Sequence, residues 1–151
     1  MAGRALIFAF IALTLVVAVA VVVAISTSSG PDPIASLEDL REREVLFFDE
    51  HHIYLVYNDG DPLALSDDPQ HMDGEYAEWC TSSQMFETPT HGEKFDRLGQ
   101  YYSGPAMRGL DRYPLRLEGD GIFIDLEHPI QGPERGEAPI SEPEGDLCVP
   151  G

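Results

Sequence analysis

The chain is short of basic side chains and of cysteine. Lys and Arg number 9 against 27 Asp and Glu, a net charge of −18 at pH 7. Nucleic acid is thereby excluded as a natural partner, because binding phosphates needs Lys and Arg to displace counterions. The acidity keeps an exported domain soluble or suits a partner with a basic surface. The cysteines are 2, Cys80 and Cys148. In an oxidising compartment an even count suggests one disulfide, tying the C-terminal tail to the body. Two free thiols, one buried near Trp79, are the other reading. Catalytic signatures are missing as well. Ser82 and Ser83 lack a Gly-x-Ser-x-Gly elbow, there is no phosphate-cradling loop, and the scattered carboxylates form no pair with opposed environments. Nothing in the sequence points to an enzyme.

One long apolar run is present. Ala5 to Ile25 is interrupted only by Thr14. At about 1.5 Å per residue such a helix spans roughly 31 Å, the thickness of a bilayer's hydrocarbon core. A secretory h-region is shorter, about 7–15 residues. Residues 5–25 therefore read as an uncleaved transmembrane helix, with small residues at Ala18 and Ala20 leaving cleavage open. Arg4 precedes the run, and the first charges after it are Asp32, Glu38 and Asp39. The positive-inside bias puts residues 1–4 in the cytoplasm and the C-terminal domain on the extracytoplasmic side.

Residues 26–44 form a hinge and a short helical turn. Ser26 to Pro33 is small, polar and rich in Pro and Gly, which makes a flexible linker. Ile34, Leu37 and Leu40 then share one face of a turn over 34–43. The body, residues 45–126, reads as strands. Val45–Phe48 is apolar, Ile53–Tyr57 is β-branched and aromatic, and the turn Asn58-Asp59-Gly60-Asp61-Pro62 leads back to Leu63-Ala64-Leu65. From Ser66 to Gly99 the chain is long, polar and irregular, with Trp79, Met85, Phe86 and Phe95 as its large apolar anchors. A loop of that length in a compact domain is functional or a subdomain of its own. Tyr113–Glu118 and Ile122–Leu126 close the body as a hairpin around Gly119-Asp120-Gly121. Residues 127–151 are acidic and hold Pro129, Pro133, Pro139, Pro143 and Pro150. Such a segment cannot bury enough apolar surface to fold alone. It stays disordered or lies along the domain or a partner.

The stretch Thr88-Pro89-Thr90-His91-Gly92-Glu93-Lys94-Phe95-Asp96 resembles the second cluster-binding box of Rieske proteins, Cys-Pro-x-His-Gly-Ser-x-Phe-Asp. Ser103-Gly104-Pro105-Ala106 resembles that family's proline loop, and Gly119 to Asp125 its closing hairpin. Pro69-Gln70-His71 falls where the first box, Cys-x-His, would lie. The resemblance covers about Val45 to Leu126. It implies an all-β fold: a Rieske-like antiparallel sandwich or barrel with an inserted two-loop subdomain, here behind one N-terminal transmembrane helix.

The departures from the family pattern bear on function. A Rieske centre holds one iron with two cysteine thiolates and the other with two histidines. His71 and His91 match the histidines, but Pro69 and Thr88 stand at the cysteine positions. Proline offers no side-chain ligand, and a neutral hydroxyl is a poor replacement for a thiolate. The disulfide that respiratory members carry between the boxes also has no counterpart, since Gly74 and Thr90 occupy its places. No cofactor is expected on ligand count. The chain then reads as a cluster-free, non-redox binding or structural subunit with protein partners in a membrane electron-transport complex. The alternative is an electron-transfer or metal-binding protein with an atypical centre, either [2Fe–2S] or a mononuclear ion. His71 and His91 would ligate that ion, with Asp67, Asp68 or Asp73 joining them. His51-His52 reads as a surface pair before a strand.

Overall fold

Ile53-Tyr54-Leu55-Val56 is apolar at every position, which in a strand means that both faces are covered. The protein's structure is a computed structural model that describes residues 31–149 except 73 and 138. In it these residues form β3, the centre of the fold. Successive strand side chains point to opposite faces, and here each face meets its own core. Ile53 and Leu55 pack with Leu40, Ala64 and Ile122. Tyr54 and Val56 pack with Leu65, Ala77, Phe86, Phe95, Ala106 and Leu110. Burying each large side chain contributes about 1.5–3 kcal/mol.

Three antiparallel sheets result. The first pairs β1 (Ala35–Ser36) with β11 (Gly121–Ile124) and β11 with β10 (Leu115–Glu118). The second runs β2 (Val45–Phe48), β3 (Ile53–Val56), β4 (Leu63–Ser66), β9 (Arg112–Tyr113). The third, inserted between β4 and β9, runs β5 (Glu78–Cys80), β6 (Met85–Glu87), β7 (Lys94–Phe95), β8 (Tyr101–Ser103). The architecture is mostly β rather than all-β, because helix α1 (Leu37–Arg43) precedes β2. Ser36 caps that helix by accepting from Asp39 N at 3.0 Å, and Leu40 buries its apolar face. Ile34, expected within the turn, instead precedes it and donates its N–H to Ile122 O.

Two further expectations are refined. The 66–99 segment, expected as an irregular stretch that is functional or a subdomain of its own, is an inserted subdomain that carries β5, β6 and β7. Strands of two or three residues are too short to leave an alternating pattern. The expected strand 113–118 is split at Pro114, which has no N–H to offer a ladder. Tyr113 therefore pairs with Ala64 in one sheet, and Leu115 with Ile124 in another.

The tail lies along the domain, the second of the two readings left open. Arg112 and Ile130 exchange backbone bonds of 2.9 and 2.7 Å. Gly109 N donates to Pro133 O, and Glu144 N to Ser83 O. The described residues from Pro33 onward form one compact unit. Residues 1–30, and with them the expected membrane helix 5–25, lie outside the described residues. Among those described, no helix is long and apolar enough to cross a membrane.

Candidate metal centre

Two loops of the inserted sheet meet at one end. One, between β4 and β5, carries His71 and Glu75. The other, between β6 and β7, carries Thr88, His91 and Glu93. The second loop closes on itself. Thr88 N donates to Glu93 O at 3.0 Å, and Glu93 N donates to Thr88 Oγ1 at 2.8 Å. Gly92, at φ +70°, supplies the left-handed residue this tight turn needs. The third wall is the loop after β8, where Gly104 presses so closely that a Cβ there would sit 2.6 Å from Glu93 Cα.

The two histidines come together. Their rings meet edge to face with centroids 5.4 Å apart. Each Nδ1 faces a carboxylate: His91 Nδ1 contacts Glu75 Oε2, and His71 Nδ1 stands 2.7 Å from Glu93 Oε1. The other oxygen of each glutamate is held from outside. Glu75 Oε1 accepts the Thr90 and His91 backbone N–H groups at 2.9 and 3.0 Å. Glu93 Oε2 accepts from the Thr88 hydroxyl. Glu93 is fully buried, yet its Oε1 makes no hydrogen bond. Burial opposes ionisation of Glu75, but the bonds from the His91 ring and from the His91 and Thr90 backbone outweigh it. Its carboxyl is held below the ordinary range.

The carboxylates expected to join the histidines are elsewhere. Asp67 pairs with His52, Oδ2 to Nδ1 at 3.0 Å, while His51 and His52 are both exposed. Asp68 accepts from Gln70 N at 2.8 Å, and Asp73 lies outside the described residues. The residues in their place are Glu75 and Glu93, which sequence reasoning missed. Glu93 carried a signal, since it stands where the resembling box has serine. Glu75 carried none among so many acidic residues. Pro69 and Thr88 are both buried, and neither presents a thiolate. Cys80 and Cys148 are joined in a disulfide.

Compared with known proteins, residues 31–114 match the Rieske [2Fe-2S] domain. Over 60 residues the chain is 32% identical to the cytochrome b6-f complex iron-sulfur subunit of Synechococcus sp. (strain JA-3-3Ab), covering 40% of this chain and 33% of that one. Over 97 residues it is 32% identical to the ferredoxin component of biphenyl 2,3-dioxygenase from Rhodococcus jostii (strain RHA1), covering 62% and 91%. The chain spans about a third to a half of the cytochrome b6-f subunits it matches. The fold is that of the cyanobacterial plasma membrane Rieske protein PetC3 from Synechocystis PCC 6803, with a TM-score of 0.52 and 23% identity over 63% of this chain and 99% of that one. By name these relatives are an iron–sulfur subunit and a ferredoxin component. With more than half of its length matched by the domain, the chain belongs to the Rieske [2Fe-2S] domain family.

Proposed function

We propose that this is a membrane-anchored Rieske-fold protein without a [2Fe–2S] cluster, acting as a non-redox binding or structural subunit of a membrane electron-transport complex. One observation carries the reading: the two loops present no thiolate. A [2Fe–2S] centre takes its negative charge and half its ligands from two cysteines. Pro69 and Thr88 stand at those positions, both cysteines of the chain are tied up in the disulfide, and the Thr88 hydroxyl is engaged by the Glu93 carboxylate. The donor set does not fit the cluster.

The division of the chain belongs to the same proposal. Residues 1–4 are cytoplasmic, 5–25 span the membrane and the start of the expected 26–44 segment is the hinge, while its β1 and α1 pack with the body, residues 45–126, and 127–151 is the acidic tail on the extracytoplasmic side. An oxidising compartment agrees with the disulfide. The name of the Synechococcus relative agrees with a place in a membrane complex. Features suited to a docking role survive. Met72 and Met107 are 51% and 70% exposed on the loops that build the site, and apolar side chains of this kind mark contact surfaces. A cavity of about 540 Å³ is lined by Phe47, Tyr54, Tyr76 and Trp79 together with Asp49 and Glu78, a combination that favours a basic partner segment.

The test is visible absorption and low-temperature EPR of the purified full-length chain, before and after dithionite, with iron and acid-labile sulfide assayed. A colourless, folded protein without sulfide is expected. Two irons and two sulfides per chain with a reduced-state signal would refute the reading.

A further inference from the structure

We propose that His71, Glu75, His91 and Glu93 together bind one divalent cation, zinc by preference, between the two loops. The proposal rests on the cluster-free reading and goes beyond it, because it assigns the place a different occupant and two ligands outside the family's set.

Geometry is the first support. One donor atom from each of the four residues lies within 4.8 Å of all the others. Ions of this class take imidazole nitrogen and carboxylate oxygen at about 2.0–2.2 Å in four-coordinate sites. Small rotations of the two partly exposed imidazoles close the set to that size. The donors come from two separate loops, so an ion there cross-links them.

The second support is the orphaned oxygen. Glu93 Oε1 is buried, faces His71 Nδ1 at 2.7 Å and has no hydrogen-bond partner. A buried carboxylate oxygen left unsatisfied is costly. A cation bound to Glu93 Oε1 and His71 Nδ1 removes that cost.

The third support is the outer layer. Each glutamate has one oxygen fixed by backbone or hydroxyl donors and leaves the other for the centre: Glu75 through Thr90 N and His91 N, Glu93 through the Thr88 hydroxyl. Metal-binding carboxylates are held in this way, with outer partners setting the orientation of the ligating atom. Two neutral imidazoles and two carboxylates balance a 2+ charge. They suit zinc or ferrous iron, and the lack of thiolate disfavours soft ions such as Cu(I). The competing arrangement is a metal-free pair of His–Glu contacts, and the experiment separates the two.

The full-length chain, purified in detergent and stripped with EDTA, is titrated with zinc chloride by calorimetry. Cobalt substitution then reports coordination through its visible ligand-field bands. One zinc per chain is expected, with submicromolar affinity. Binding should weaken at least tenfold in Glu93→Gln and in His91→Ala, and stay unchanged in Asp125→Asn, which removes the exposed Asp125–His128 pair, neither member of which belongs to the cluster. Glu93→Gln disturbs a buried bond; His91 is partly exposed, so its variant keeps the test decisive if the first misfolds. No stoichiometric zinc in the wild type, or undiminished binding in His91→Ala, overturns the proposal. A colourless chain that takes no metal overturns this inference alone, whereas a reducible iron–sulfur centre overturns the cluster-free reading with it.

Discussion

Removing the Cys80–Cys148 disulfide should cost the domain about 4 kcal/mol. The bond closes a loop with a sequence separation of 68. The chain-entropy relation gives roughly 4.4 kcal/mol for a loop of that length at 25 °C. The native side of the balance is local. Cys148 N and Val149 N donate to the buried carboxylate of Glu87 at 3.3 and 2.7 Å. With the tail untied, Glu87 keeps the Ser83 hydroxyl at 2.6 Å and gains water on its open side. Loss of those two bonds to a charged group adds to the cost, so the figure of about 4 kcal/mol counts the freed chain entropy alone. The assay is urea unfolding of the Cys80→Ser/Cys148→Ser variant against the wild type, followed by Trp79 fluorescence, with the slope checked for two-state behaviour. Limited proteolysis should cut the variant first beyond Ser141, where the tail hangs from Asp96 and Glu87. A loss below about 1 kcal/mol, with the tail still protected, would refute the view that this bond fastens the tail.

Two other perturbations probe the site's surroundings. Gly104→Ala should destabilise the domain by about 2 kcal/mol or more, because the residue sits at φ +100° and its Cβ would meet Glu93 Cα. Gly60→Ala, also at positive φ but with nothing within 4 Å, should cost clearly less, and equal losses in thermal melts would contradict the packing argument. Asp67 is buried, and that burial, opposed by its bond to His52, raises its pKa above the ordinary carboxylate value. Since the folded value lies above the unfolded one, its contribution is fully present below about pH 4 and is lost as pH rises through the raised value. Asp67→Asn should therefore gain stability relative to wild type between pH 4 and pH 7 in urea midpoints; a flat or reversed difference would count against it.

Strands with a covered face were legible in the sequence, and short ones were not. β3 and β4 stand out because apolar runs bounded by Asp59-Gly60 turn chemistry admit few other arrangements. β5 to β8 owe their existence to pairing with one another and to Phe86 and Phe95 beneath them, and no local pattern of two or three residues announces that. The histidines were legible through the box around His91. Their carboxylate partners were not, because choosing Glu75 and Glu93 over Asp67 or Asp68 requires knowing which way each loop folds back. The tail's course was hidden for a related reason. It is held by backbone N–H groups donating to buried acids, as Ser141 N does to Asp96 at 3.1 Å, and backbone donors are the same in every sequence.

The two glutamates show how the loops stay closed without the links that Rieske proteins of the respiratory type place there. Gly74 and Thr90 stand at the positions of the disulfide between the boxes. Beside Gly74, the Glu75 carboxylate reaches across and accepts from Thr90 N and His91 N. A disulfide closing a loop of about 15 residues contributes about 3 kcal/mol, and hydrogen bonds to a charged group contribute about 1.5–3 kcal/mol each. One buried carboxylate with two backbone donors and a histidine is therefore a sufficient substitute. Glu93 does the same where the cluster would sit, touching Thr88 from its own loop and His71 from the other. The difference between the two is that Glu75 is hydrogen-bonded at both oxygens, whereas Glu93 Oε1 stands 2.7 Å from His71 Nδ1 without hydrogen-bond geometry. If the pairs only replaced a cross-link, both carboxylates would be expected to find full complements of donors. That oxygen lies against the His71 imidazole within the four-residue cluster, and the asymmetry favours a ligand left for an ion.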